Sequence, residues 1–454
     1  MVPSRSPTTL EHSVQSVDLL IRARWMLPIH PRTVFHDHAL AVHNGHIVAI
    51  GPAEEIRQRY AAASYTRLDR HVLMPGLVNA HTHAAMTLMR GLADDLPLMT
   101  WLNEHIWPVE GRFVSPEFVA MGTELAIAEM LRGGTTTFND MYFFPEAAAE
   151  VAQRMGMRAT IGHVILDFPT AYAANADACL QAAADLLPRL RKMPLIRQSI
   201  APHAPYTVGD AGLRGARDLA KVENLPVHMH VHETASEVRE AVDRDGMRPL
   251  ARLGRLGLLN QHFLAVHMTQ LNDDDLALCR DSGLHIAHCP ESNLKLGSGM
   301  APTAVLRQQG IGLAIGTDGA ASNNDLDMLG ELRIAALLAK GVSGDPTAFP
   351  AWAALEAATL GGAKAIGWGT EIGSLEPGKA ADCIAIDLDH PATFPVYDPV
   401  SQVAYCAGRD QVSHVWVQGN PRIAGGQAVN WDVRDLFARA HGWARRIREG
   451  DNDA

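Results

Sequence analysis

Cysteine is scarce in this chain and scattered. Five residues in 454, at Cys179, Cys279, Cys289, Cys383 and Cys406, form no CxxC pair and leave an odd total. That excludes a disulfide framework and a cysteine-rich zinc site. Long apolar runs are also missing. No stretch approaches the roughly 18 hydrophobic residues of a membrane-spanning helix, so no membrane partner is expected. Positive charge is in deficit, with 39 Lys and Arg against 50 Asp and Glu and a formal net charge of −11. No basic stripe offsets this balance, which argues against a nucleic-acid partner and fits a small, weakly charged substrate. The opening stretch "MVPSRSPTTLEHSVQSV" lacks the apolar core of a signal peptide and reads as a polar tail, so the expected compartment is the cytoplasm.

Histidine, by contrast, is plentiful. There are 22, and several end apolar runs, where a metal or acid–base site can be assembled. The chain is also long enough for a large α/β barrel with an accessory domain, and 47% hydrophobic residues supply an ample core.

The first 70 or so residues read as strands joined by tight turns: "VDLLIRARWML", then "ALAVHNGHIVAIG" with Asn44-Gly45 as a hairpin signal. The same texture returns in "GKAADCIAIDL" and "VSHVWVQGNPRIAGG", and "WDVRDLFARAHGWARRIRE" has helical spacing. Residues 1–74 and 371–454 are therefore expected to form one small β-sandwich domain with a closing helix, and residues 75–370 a catalytic insertion between its halves. Inside that insertion strands alternate with helices. "SPEFVAMGTELAIAEMLRGG" shows the helix signals: Ser115 as N-cap, Pro116 in the first turn, Gly133 just past the end. Eight strand-like runs, from "MPGLVNAHTH" and "TTTFND" to "GLHIAHCPES" and "IGLAIGTDGA", predict a (β/α)8 TIM-type barrel, whose site gathers at the C-terminal strand ends.

Those ends carry His81 and His83, His203, His228, His230 and His232 with Glu233, His267, His288 and Asp318. On a strand His81 and His83 point the same way, so one metal can hold both. Singly, His203 or His267 reads as a hydrogen-bonded strand-end histidine and Asp318 in "GTDG" as a turn residue. A barrel would bring them all to one face. In "HMHVHE" alternation sets His228, His230 and His232 on one side, and spacing alone does not choose among them. Depth favours His230 at the rim, with His228 below it, His232 leaving the strand, and Glu233 free to curl over as a general acid/base.

"PGLVNAHTHAAM", "VHMHVHET", "AVHMT", "HCPESNLKLGSG" and "IGTDGAASNN" resemble, in that order, the motifs of the amidohydrolase superfamily, in its branch of methylthioadenosine/S-adenosylhomocysteine deaminases and triazine hydrolases. The resemblance spans nearly the whole chain. It implies His81, His83, His230 and Asp318 as metal ligands, and Glu233, His267 and Asp318 as catalytic groups. Three neutral imidazoles and a carboxylate suit one divalent ion, Zn2+ before Fe2+, which lowers the pKa of a bound water toward about 7. Binuclear relatives carry a carboxylated lysine after the fourth strand; "SIAPHAPYT" offers His203 there, so one metal is expected.

The resemblance also implies deamination at C6 of an adenine nucleoside. Glu110, in the W-x8-E stretch with Trp101, would bind the ribose hydroxyls, His203 the sugar, and Ser322 the base. Without it, Glu110 reads equally as a surface-loop glutamate. Members that take S-adenosylhomocysteine hold its carboxylate with arginines in and after the third strand. Here residues 159–188 contain no Arg or Lys, and His163 stands where one arginine would fall. 5′-Methylthioadenosine is therefore the expected substrate, ahead of S-adenosylhomocysteine or adenosine, with Met86, Met89 and Met99 as candidate thioether contacts. A homo-oligomer is expected. The rivals are a triazine hydrolase or a guanine or cytosine deaminase on the same scaffold, and a binding or scaffolding protein that has lost the chemistry.

Overall fold

The computed structural model describes residues 14–450; most of the polar N-terminal stretch, residues 1–13, lies outside the described residues. The chain starts with β1 (Gln15–Met26), β2 (Phe35–His43), β3 (His46–Pro52) and β4 (Tyr60–Pro75). The hairpin signal holds. Asn44 and Gly45, at φ 50° and 78°, supply the paired left-handed residues that turn β2 into β3.

From β4 the chain passes through Gly76 into eight parallel strands: β5 (Leu77–Thr82), β6 (Thr135–Tyr142), β7 (Arg158–Ile165), β8 (Ile196–Pro202), β9 (Val227–Val231), β10 (Phe263–His267), β11 (His285–His288) and β12 (Gly312–Ile315). They lie side by side in chain order, which is the expected barrel. Strands covered on both faces have no solvent side, and every residue of β5, β6 and β7 is buried. The chain then returns to the sheet of the first four strands as β13 (Cys383–Asp387), β14 (Val412–Val417), β15 (Asn420–Ala424) and β16 (Gln427–Ala428). Antiparallel pairing of β13 with β4 joins the two chain ends into one eight-stranded sheet apart from the barrel.

The helix signals also hold. In Pro116–Arg132 the Ser115 hydroxyl accepts from Phe118 N at 3.2 Å. The closing helix, Val433–Glu449, is capped by Asp432 and lies against Pro116–Arg132, where Arg439 pairs with Glu124 at 2.8 Å.

The barrel seam between β12 and β5 is sewn largely by side chains. Thr317 N donates to Asn79 Oδ1 at 3.0 Å, Asn79 Nδ2 donates to Thr317 Oγ1 at 2.7 Å, and Asp318 N donates to His81 O at 3.0 Å. A Cβ at Gly316 would stand 2.7 Å from His81 N, so only glycine lets the last strand approach the first this closely. The seam thereby brings Asp318 beside His81.

Candidate metal centre and substrate cavity

Four ligand-type atoms, one each from His81, His83, His230 and Asp318, lie within 4.8 Å of one another at the C-terminal end of the barrel. The distances are those of a single small cluster: His81 Nε2 and His83 Nε2 stand 3.1 and 3.2 Å from Asp318 Oδ1, and His230 Nε2 stands 3.1 Å from His81 Nε2. The backbone bends sharply here. His232, His267 and Asp318 all adopt left-handed φ values of 54°, 75° and 64°, a conformation uncommon outside glycine that re-aims side chains as the strands end.

Each imidazole has its other nitrogen committed elsewhere. His83 Nδ1 donates to Met141 O at 2.6 Å, His230 Nδ1 donates to His203 O at 2.8 Å, and His81 Nδ1 lies 2.9 Å from His228 Nε2. All three rings are thus turned to present Nε2, which is how outer partners orient metal-binding histidines. On the carboxylate, Ser292 and Ser322 donate to Asp318 Oδ2 at 2.6 and 2.9 Å, leaving Oδ1 to the histidines. Three Nε2 atoms and one carboxylate oxygen converging inside a buried site form a donor set suited to a divalent cation.

The electrostatics agree with that fit. Burial lowers His81 to about 4 and drives His230 well down, so both are neutral, as ligation requires. For His83, burial opposes a charge but Asp318 outweighs it and raises the imidazole to about 9, so a cation entering here displaces a proton. Asp318 is itself buried, yet its contacts to His81 and His83 hold it well below the usual carboxylate range.

Glu233 and His267 flank the cluster, with Oε2 and Nε2 separated by 3.8 Å. Burial first, and then the charge of Asp318, push Glu233 up to about 8. Asn293 Nδ2 donates to His267 Nδ1 at 2.9 Å, which leaves the ring hydrogen on Nε2, facing Glu233. The Glu233 turn is held by Glu237, whose carboxylate accepts from His232 N at 3.1 Å and Glu233 N at 2.7 Å.

A cavity opens from this cluster, with His83, His203, His230, Glu233, His267, Asp318 and Ser322 at its base. Its walls are largely apolar, among them Met86, Trp101, Trp107, Met141, Phe168 and Leu296, and Glu110 and Tyr142 face it as a pair. Tyr142 OH donates to Glu110 Oε1 at 2.6 Å, and burial pushes Glu110 up to about 7. No lysine or arginine is among the described residues that line the cavity. Thr207 Oγ1 donates to Ala204 O at 3.1 Å and so takes the Nδ1 hydrogen of His203 at 3.1 Å, leaving His203 Nε2 as an acceptor.

Two expectations meet a different outcome. His163 does not line the cavity: Val164 and Leu166 do, so strand alternation turns His163 outward, where Nε2 meets Gln198 Oε1 at 2.9 Å. Of the three methionines, only Met86 lines the cavity; Met89 is buried elsewhere and Met99 is half exposed. His228 sits beneath His81 on its Nδ1 side, and His232 accepts from Leu250 N at 3.1 Å, so neither joins the four-residue ligand group. Sequence reasoning passed over Tyr142, Asp140, Asn293, Ser292 and Glu237, whose partners are mostly far along the chain.

Residues 72–422 match the amidohydrolase family, and residues 39–63 match an imidazolonepropionase-like composite domain of bacteria. A protein of Teredinibacter turnerae named 5-methylthioadenosine/S-adenosylhomocysteine deaminase is 46% identical over 433 residues, covering 95% of this chain and 98% of its own. A protein of the same name from Saccharophagus degradans is 44% identical over 432 residues, with 95% and 97% covered. Among solved structures, an adenosine deaminase from Xanthomonas campestris with bound zinc is 52% identical and superposes with a TM-score of 0.95, covering 96% of this chain and 100% of that one. Atrazine chlorohydrolase from Arthrobacter aurescens, 23% identical with a TM-score of 0.87 over 94% of this chain and 100% of its own, shares the fold. This chain belongs to the amidohydrolase family.

Proposed function

We propose that this protein is a metal-dependent hydrolytic deaminase of adenine nucleosides, converting 5′-methylthioadenosine and water to 5′-methylthioinosine and ammonia. One observation carries the choice of substrate: the cavity runs from a cluster of metal-ligand type to a half-buried carboxylate, between apolar walls and with no lining cation among its described residues. Such a space suits a neutral nucleoside with a short thioether tail. An amino-acid carboxylate, as in S-adenosylhomocysteine, would lie there without a charged partner.

His81, His83, His230 and Asp318 would hold one divalent ion, Zn2+ by the imidazole-rich donor set, which supplies Lewis acidity toward the attacking water. The protein's own groups move the protons. Glu233, whose burial favours the protonated form, would take a proton from the attacking water and deliver it to N1 of the adenine ring, making C6 electrophilic. His267 would donate from Nε2 to the oxygen that develops at C6, because Asn293 occupies its other nitrogen. Asp318 would help transfer the second proton to the departing amine while Ser292 and Ser322 hold its Oδ2. Glu110 would accept from the ribose hydroxyls, and His203 Nε2 from the sugar, both against the Trp101 wall.

The test is a panel of 5′-methylthioadenosine, adenosine, S-adenosylhomocysteine, guanine and a chlorotriazine, followed by ammonia or chloride release. Highest kcat/KM on the first, and poor turnover of S-adenosylhomocysteine, is the expected result. Turnover of only the last two would overturn the reading. No stoichiometric metal, and no activity on adding zinc, would favour a binding protein instead.

A further inference from the structure

The end of β6 touches both halves of the cavity through three consecutive residues. Asp140 Oδ1 accepts from Thr82 Oγ1 at 2.9 Å and Ala84 N at 2.7 Å, bracketing His83 in the chain. Met141 O accepts from the His83 ring at 2.6 Å. Tyr142 reaches the other way and donates to Glu110 Oε1 at 2.6 Å. One buried strand thus sets the aim of His83 and the place of Glu110 together.

Glu110 needs such an anchor. It sits on Trp107–Phe113, a helix of only 7 residues outside the barrel, and an ionised carboxylate offers about four acceptor positions. Burial holds the Tyr142 hydroxyl well above the usual phenol range, so at neutral pH it remains a donor to that carboxylate. Tyr142 occupies one acceptor position on Oε1. No lysine or arginine among the described lining residues competes for the rest. A pair of neighbouring hydroxyls is one uncharged group that supplies two donors to the remainder.

We propose that Tyr142 is a positioning residue that fixes Glu110 at a set distance from the metal centre, so that the cavity selects adenine nucleosides with an intact vicinal diol. This inference rests on the nucleoside reading above. Tyr142 acts through Glu110, not on the purine, so its loss falls on KM more than on kcat and weakens the enzyme's sensitivity to the sugar hydroxyls.

The experiment is a double-mutant cycle on the metal-loaded full chain, with Tyr142→Phe, Glu110→Ala and the pair, assayed on 5′-methylthioadenosine and its 2′-deoxy and 3′-deoxy analogues. Tyr142→Phe should raise KM about tenfold, the scale of one hydrogen bond to a charged group, and shrink the penalty for removing a hydroxyl. In the Glu110→Ala background it should add nothing. The same KM factor in both backgrounds, or an unchanged hydroxyl penalty, overturns the proposal. Should Tyr142→Phe fold poorly, Glu110→Asp withdraws the carboxylate from an intact Tyr142; a hydroxyl penalty equal to wild type then overturns it. Wild type that turns over no nucleoside overturns the functional reading and this inference with it, whereas active wild type with either negative result overturns the inference alone.

Discussion

The two ends of the barrel each bury a charged cluster, and the two are built on opposite plans. At the N-terminal end Arg158 and Asp382, both about 1% exposed, form a bidentate pair at 2.9 and 3.2 Å. Gln418 N donates to the same carboxylate at 2.8 Å, the guanidinium lies 4.5 Å from the centroid of the Trp368 ring, and Trp368 Nε1 donates to Thr160 Oγ1 at 2.9 Å. Burial opposes the charge on Arg158, and Asp382 outweighs it. This cluster closes on itself and ties the barrel to the terminal sheet. At the C-terminal end the outward nitrogens of the histidines are satisfied, while three Nε2 atoms and one oxygen point at each other. Buried polar groups that complete one another serve structure; buried groups that converge without completing one another await a cation or a substrate.

The sharpest way to break this contrast is to separate holding from proton transfer at the C-terminal end. Glu233→Gln should keep stoichiometric metal and lose turnover by about a hundred- to ten-thousandfold, the range of a general acid/base. His230→Ala should lose the metal itself, read by elemental analysis of the purified protein. Loss of metal in Glu233→Gln would put Glu233 among the ligands and end the distinction. At the other end, Asp382→Asn leaves Arg158 buried without its counter-charge and should cost about 3–5 kcal/mol of stability, read as a lower denaturation midpoint. Metal content per folded chain should not change. If it falls, the two clusters are coupled through the barrel.

Much of this architecture was legible in the sequence because its signals are local. Asn44-Gly45, the Ser115 cap and the eight apolar runs each report on neighbours within a few residues. The metal cluster needed one further step, that a barrel gathers strand ends, and the choice of His230 over His228 and His232 needed strand depth. Contacts across the fold gave no such signal. Tyr142 meets Glu110 32 residues away, Asp140 meets Ala84 56 away, and Asn293 meets His267 26 away. His163 shows the converse. Its place in the chain suggested an arginine substitute, but the strand face it occupies is set by register, and that face packs against Gln198.

The smallest expected effect is a pH dependence that belongs to the C-terminal cavity. Burial raises Glu110 from its ordinary 4.5 to about 7, so between those values the folded chain binds the proton more tightly than the unfolded one. Stability contributed at this position therefore declines as pH rises from about 4.5 to about 7 and levels off above it, the reverse of a salt-bridged carboxylate. Function has the opposite sign. Only the ionised carboxylate can accept from Tyr142 and two ribose hydroxyls at once, so kcat/KM for the nucleoside should climb as pH passes through about 7. Glu110→Gln should remove that limb of the kcat/KM profile and flatten the stability slope below it. A profile identical in wild type and Glu110→Gln would assign the limb to another group of the cavity, and would leave Glu110 as a neutral hydrogen-bonding group closer in kind to the self-contained cluster at the far end of the barrel.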